Sequence, residues 1–257
     1  MRTVHFLLSL ATVSLAAPAN YFDGVYEFSN ELADFYSKVS MYINRIQQST
    51  SPSAICDTSK ITLPSYASEW QPSQDGTTPV YVALGRGTQN YTCADSTSHS
   101  KPALVGAVAN LYNATCLAAD FPDLLHLLPD IAYRISLPAS NLAAFPPANL
   151  ELMGHHFFAG TVPTFNLDTT PTKQFGIVRT KKEGSIDAPP DAVKGEHGAV
   201  AWLYLSTINT TVGDYASVYR VDTASGGAPS TCKGLPAAFE IQYSANYYFY
   251  AHESTAE

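Results

Sequence analysis

The chain has 257 residues, 46% of them hydrophobic and only 14% charged, against roughly 25% charged in an ordinary soluble protein. Its net charge of −8 speaks against a nucleic acid or an anionic membrane surface as partner. The length suffices for one large β domain or two small ones, each with a real core.

Residues 1–19 read as a signal peptide. Arg2 supplies the positive start, residues 6–15 the apolar stretch, and Ala16, Ala17 and Ala19 the small residues of a cleavage site. Cleavage after Ala17 would leave Pro18 behind the cut, so we favour Ala19, with Ala16 second. The apolar run is too short for a membrane span, and the terminal AHESTAE is too polar for a lipid-anchor signal. The expectation is a secreted, extracellular protein, free or held at a cell wall.

Residues 22–48 carry the clearest helical pattern. Leu32, Phe35, Tyr36, Val39, Ile43 and Ile46 repeat at helical spacing, with Glu31, Asp34, Lys38 and Arg45 elsewhere on the wheel. The STSPS run at 49–53 ends it. We therefore divide the mature chain into a helical segment with linker, 20–53, and a single β domain, 54–257.

From Cys56 onward the pattern is strands. Residues 79–93, PVYVALGRGTQNYTC, alternate Val80, Val82 and Leu84 with Tyr81 and Ala83, the period of a half-buried strand. Gly85 and Gly87 then read as a turn. Further strands are expected at 89–93, 107–116, 155–167, 175–180, 199–207, 215–222 and 239–250. Arg179, Lys181 and Lys182 beside Gly184 read as a solvated hairpin turn. Between 120 and 152, Leu124, Leu125, Leu127, Leu128 and Ile131 suggest a turn or two of helix stopped by Pro129. About eight strands without βαβ alternation predict a mainly β fold, an antiparallel sandwich or barrel.

Four cysteines, Cys56, Cys93, Cys116 and Cys232, behind a signal peptide imply two disulfides with three possible connectivities. Without a CxxC spacing they do not suggest zinc. Sequons at Asn90, Asn113 and Asn209 mark N-glycosylation sites at strand ends or turns.

Signals for chemistry are weak. Gly85-Arg-Gly-Thr-Gln-Asn90 lacks the third glycine of a dinucleotide fingerprint and the helix that should follow. His155 and His156 are adjacent, so a regular strand sends them to opposite faces, one buried with a partner and one exposed. Asp168, Asp187, Glu196 and His197 are the candidates to complete a metal or catalytic site around either. No GxSxG or HExxH occurs. Asp168 and Glu240, or Asp222, are the carboxylates a glycosidase would pair across a cleft. Trp70, Tyr81, Tyr91, Trp202, Tyr204, Tyr215, Tyr219, Tyr247 and Tyr248 offer faces for sugars, although in a β fold such rings mostly fill the core. The segment 222–232 reads as a loop pinned by Cys232, with Gly226 and Gly227 free to take positive φ. Tethered loops often carry function.

Four phrases occur together: LGRGTQNYTC (84–93), HHFFAGTVPTF (155–165), YRVDTASGGAP (219–229) and YSANYYFY (243–250). In these the chain resembles a family of secreted fungal and bacterial proteins defined as a domain of unknown function. Its fungal members are often labelled malate dehydrogenase. The resemblance implies no established activity and no cofactor. It implies the bridge Cys93–Cys232, from cysteines shared with shorter bacterial members, which leaves Cys56–Cys116 as the second. Phe165 stands where the family often has Trp. The dehydrogenase label conflicts with a leader peptide and a β-strand pattern. The expected role is non-catalytic, at a wall or in the extracellular matrix, with a wall polysaccharide or an extracellular protein as partner. A secreted carboxylate hydrolase is the alternative.

Overall fold

The computed structural model describes residues 56–135, 150–168 and 174–253. The expected signal peptide at 1–19 and the helical pattern at 22–48 lie outside them. Eight strands form one closed antiparallel barrel in chain order: β1 (Thr77–Thr92), β2 (Ala103–Asn113), β3 (Leu152–Ala159), β4 (Val162–Asn166), β5 (Ile177–Ile186), β6 (Trp202–Thr207), β7 (Tyr215–Ser225) and β8 (Ala238–His252). Of the two architectures the sequence allows, it is the barrel. Pairing of β8 with β1 from Thr77↔His252 to Thr92↔Ala238 closes the sheet, which removes exposed strand edges.

Helices cover one side of the barrel. A 3₁₀ turn (Thr58–Lys60) and α1 (Ser65–Trp70) precede β1, while α2 (Thr115–Asp120) and α3 (Pro122–Arg134) follow β2. Side chains alternate across each strand, so the barrel has two cores. Val82, Leu84, Tyr219, Val221 and Tyr248 face outward and pack with Leu124, Leu125 and Leu128 of α3. Ala83, Leu111, Phe165, Val218, Tyr247 and Phe249 face inward. Under the helices both faces are dry, and every residue of β7 is buried.

Four local readings need correction. Gly85 and Gly87 do not turn the chain; they lie inside a single 16-residue strand, β1. A Cβ on Gly85 would sit 2.5 Å from the Tyr247 ring, and one on Gly87 would fall 2.6 Å from Ala109 Cα. These glycines make room for a ring and a neighbouring strand, the other use of glycine in a sheet. Arg179, Lys181 and Lys182 lie along β5 rather than in a turn, and Gly184 follows a register shift there. The loop expected at 222–232 begins later, because β7 runs to Ser225 through a bulge between Val221 and Ala224. Asp222 (φ 49°), Ser225 (φ 60°) and Gly226 (φ 89°) take the positive φ there.

Pro129 does not stop the helix, since α3 runs through it to Arg134. A proline at this position cannot donate to the carbonyl four residues back. That carbonyl, Leu125 O, accepts instead from Asn246 Nδ2 of β8 at 3.1 Å. The barrel wall supplies the donor the helix lacks.

Two disulfides join Cys56 to Cys116 and Cys93 to Cys232, the pairs named from the family resemblance. The first holds the start of the described chain to α2, the second the end of β1 to the segment before β8. Paired cysteines of this kind belong to an oxidising environment. No helix among the described residues is long and apolar enough to cross a membrane.

Candidate functional site: the barrel lumen

The lumen is packed at one end and hollow at the other. Phe165 and Phe249 meet edge to face at 5.4 Å, and Tyr215 closes on Phe249 at 6.3 Å. Beyond this plug lies a cavity of about 440 Å³ to which all eight strands contribute, from Gln89 on β1 to Tyr247 on β8. Leu104, Thr161 and Lys182, exposed at its border, mark where it meets solvent. An eight-stranded barrel is wide enough to hold one small ligand, and the volume falls in the usual range for such sites.

Most of the lining is apolar, contributed by Leu203, Leu205, Phe158, Pro163 and Phe165. Among the polar side chains that also border it, two stand out. Gln89 is completely buried, and neither its amide nitrogen nor its amide oxygen has a hydrogen-bond partner. Arg220 is 6% exposed; its Nη2 donates to Ala201 O at 2.8 Å and its guanidinium lies close to the Tyr247 hydroxyl, while its Nε–H has no acceptor. No acidic residue lines the cavity.

His156 stands beside them. Its Nδ1 lies 3.0 Å from Thr164 O. A carbonyl only accepts, so Nδ1 carries the proton and Nε2 remains a bare acceptor. The ring stacks on Phe165 at 4.3 Å and 15°. Burial pushes its pKa down to about 4, so it is neutral near pH 7. The Tyr243 and Tyr247 hydroxyls bond each other at 2.8 Å. Burial raises both pKa values, and the Arg220 charge pulls against it.

A second polar cluster lies outside the barrel beneath α3, and its members are nearly all matched. Arg86, 3% exposed, donates to Ala132 O at 2.9 Å, Tyr133 O at 3.3 Å, Gly87 O at 3.1 Å, Tyr243 O at 3.3 Å and the Gln242 side chain. It caps the C-terminal carbonyls of α3 and ties them to β1 and β8. The bulge in β7 re-aims Asp222 toward the helix. There Asp222 accepts from Asn246 Nδ2 at 2.9 Å and pairs with His126 Nδ1 at 3.0 Å. That hydrogen bond raises the His126 pKa. Burial pushes neighbouring Asp130 up to about 6. Among the described residues the partner of His126 is Asp222, with no hydroxyl or thiol hydrogen-bonded to the ring.

The residues singled out from sequence scatter. His155 and His156 point to opposite faces of β3; His155 is half-buried rather than exposed, with Nδ1 3.0 Å from Asn110 Oδ1. Asp168 follows β4 and accepts from Gly176 N at 2.5 Å. Glu240 is exposed near the start of β8, with Asn90 Nδ2 3.4 Å away. These two carboxylates lie at opposite ends of the barrel, on the order of 30 Å apart along the strands, and do not form a pair. Glu196 lies 3.6 Å from its neighbour His197, its one ion pair among the described residues. No cluster of three or more metal-ligating side chains occurs among the described residues. Of the aromatic candidates, Tyr247 alone lines the cavity; Tyr91, Trp202, Tyr204, Tyr215, Tyr219 and Tyr248 are core. Asn90 and Asn113 lie in strands and Asn209 in an exposed turn.

Sequence reasoning passed over Gln89 and Arg220. The signal was present for Arg220: it follows Val218 at the period of the buried face, a position where a charge is out of place.

By fold and site this is an up-and-down β-barrel with a hollow, ligand-sized lumen. The family model described as protein of unknown function (DUF3455) matches residues 72–251, the whole barrel, and the chain belongs to that family. A second, also described as protein of unknown function (DUF2990), matches residues 8–70. The junction falls between α1 and β1. No curated protein and no solved structure matched the chain.

Proposed function

We propose that this is a secreted, non-catalytic binding protein whose barrel lumen takes a small, largely apolar molecule. The observation that carries the reading is the hollow end of the lumen, about 440 Å³, bordered by a fully buried Gln89 amide without partners. Leaving such an amide unmatched costs about 1–3 kcal/mol, a cost that a ligand hydrogen-bonded to it would offset. The leader sequence and two disulfides support action outside the cell. A lumen enclosed by eight strands suits a small molecule better than a polysaccharide chain, which needs an open groove or exposed rings.

Titration with the neutral fluorophore N-phenyl-1-naphthylamine tests this. Saturable one-to-one binding is expected, abolished by Ala107→Phe, which fills the cavity. Binding that survives Ala107→Phe in a folded protein would place the probe outside the lumen and sink the reading.

A further inference from the structure

We infer that the ligand is an anion, an acid with an apolar body whose carboxylate is held by Arg220. The inference rests on the lumen being the binding site and adds the chemistry of the ligand's head.

Three observations converge. First, Arg220 is a buried guanidinium without a counter-ion: no carboxylate pairs with it among the described residues, and its Nε–H points at no acceptor. A buried, unmatched charge is strongly disfavoured unless something completes it. Arginine's fixed fork of donors matches the two oxygens of a carboxylate. Second, charge segregates. The chain has 22 acidic and 14 basic residues, yet the cavity is bordered by Arg220, Lys181 and Lys182 and by no acid. Lys181 is paired with Glu183 at 2.7 Å, whereas Lys182 is in no ion pair among the described residues. A cationic cavity in an anionic protein draws in anions selectively. Third, the unpartnered Gln89 amide adds an N–H donor bordering the same cavity. The neutral His156 presents an acceptor and carries no charge that would compete for the head.

The body follows from the walls. Leu203, Leu205, Phe158 and Phe165 offer no hydrogen bonds and favour an alkyl chain or an aromatic ring. A free sugar or a small dicarboxylate would leave its polar groups unmatched against them.

The test compares acid with alcohol on the same body by calorimetry at pH 7.5: decanoate against 1-decanol, and 2-naphthoate against 2-naphthylmethanol. In the wild-type protein the acid of at least one pair is expected to bind ten- to a hundredfold tighter than its alcohol, the range of a charge-assisted hydrogen bond. Arg220→Met should erase that preference while keeping alcohol binding, and Arg220→Lys should restore part of it. Gln89→Leu should weaken acid binding severalfold and alcohol binding less, because a hydrogen bond to a charged acceptor is the stronger one. The wild-type ratio and Gln89→Leu decide the matter even where Arg220→Met does not fold. Equal affinity for acid and alcohol, or preference for the alcohol, overturns the anion assignment and leaves the lumen reading intact. If neither pair binds, the anion assignment fails; failure of N-phenyl-1-naphthylamine as well takes the lumen reading with it.

Discussion

The molecule buries two arginines, one on each side of the barrel wall, and they are treated in opposite ways. Arg86, beneath α3, meets five acceptors and fastens the helix to the sheet. Arg220, inside the lumen, has one backbone acceptor, the Tyr247 hydroxyl close by, and an Nε–H with no acceptor. The amides repeat the contrast. Asn246 outside uses its Nδ2 hydrogens on Leu125 O and Asp222 and leaves only Oδ1 without a partner, while Gln89 inside uses neither end of its amide. Burial alone therefore does not mark a functional residue. Burial without satisfaction at the border of a cavity is the sharper sign, because folding stability would be better served by an apolar side chain there; Trp202 Nε1 and Tyr204 OH, also without partners among the described residues, do not border the lumen cavity.

The largest effect should come from breaking the matched side. Arg86→Met strands the terminal carbonyls of α3 and should lower unfolding free energy by about 4 kcal/mol in urea titrations. Arg220→Met should cost far less or nothing. Equal losses for the two variants would erase the distinction.

Acid separates the two sides next. His156 has its pKa lowered to about 4 from an unfolded value near 6.5. The unfolded chain therefore binds more protons between those values, and stability falls as pH drops from 6.5 toward 4, by about 3 kcal/mol. Asp130, raised to about 6 by burial, acts in the opposite sense: its contribution is present at low pH and lost as pH rises through 6. Subtracting the pH–stability curve of His156→Phe from that of wild type cancels Asp130 and should leave the histidine slope. A flat difference curve would mean that His156 is not held neutral by burial.

The helix gives a smaller and sharper test. Asn246→Leu removes the donor to Leu125 O and should cost about 2 kcal/mol. Pro129→Ala restores a backbone N–H to that carbonyl, so the asparagine loss should shrink in its background. A double-mutant cycle should show coupling of about 1 kcal/mol. Zero coupling would mean the side chain does not stand in for the missing donor.

The smallest change is a gain. Gln89→Leu removes an unmatched buried amide and should stabilise the ligand-free protein by about 1 kcal/mol, a rise of about 2–4 °C in Tm for a chain of this size. A fall in Tm would show that Gln89 is satisfied within the fold.

The sequence made some of this legible and concealed the rest for definite reasons. Alternation at Val80, Val82 and Leu84 located β1. Gly85 and Gly87 split it wrongly, because a glycine that admits Tyr247 looks the same in one dimension as a glycine that turns. Pro129 looked like a helix stop because its rescuer, Asn246, lies more than a hundred residues away. The choice of barrel over sandwich rests on the pairing of β1 with β8, at the two ends of the domain, and no local pattern records it. The histidine pair was separable by strand geometry alone, one to each face. Arg220 broke the pattern of its own strand, a visible sign, but that the groups around it leave it unmatched appears only once the strands are closed into a barrel.

The most direct measurement is a crystal structure of the protein soaked with decanoate. The expected result is density for the chain inside the barrel, with its carboxylate within about 3.2 Å of the Arg220 guanidinium and within reach of Gln89. An empty lumen under saturating ligand, or a chain lying outside the barrel, would contradict the account.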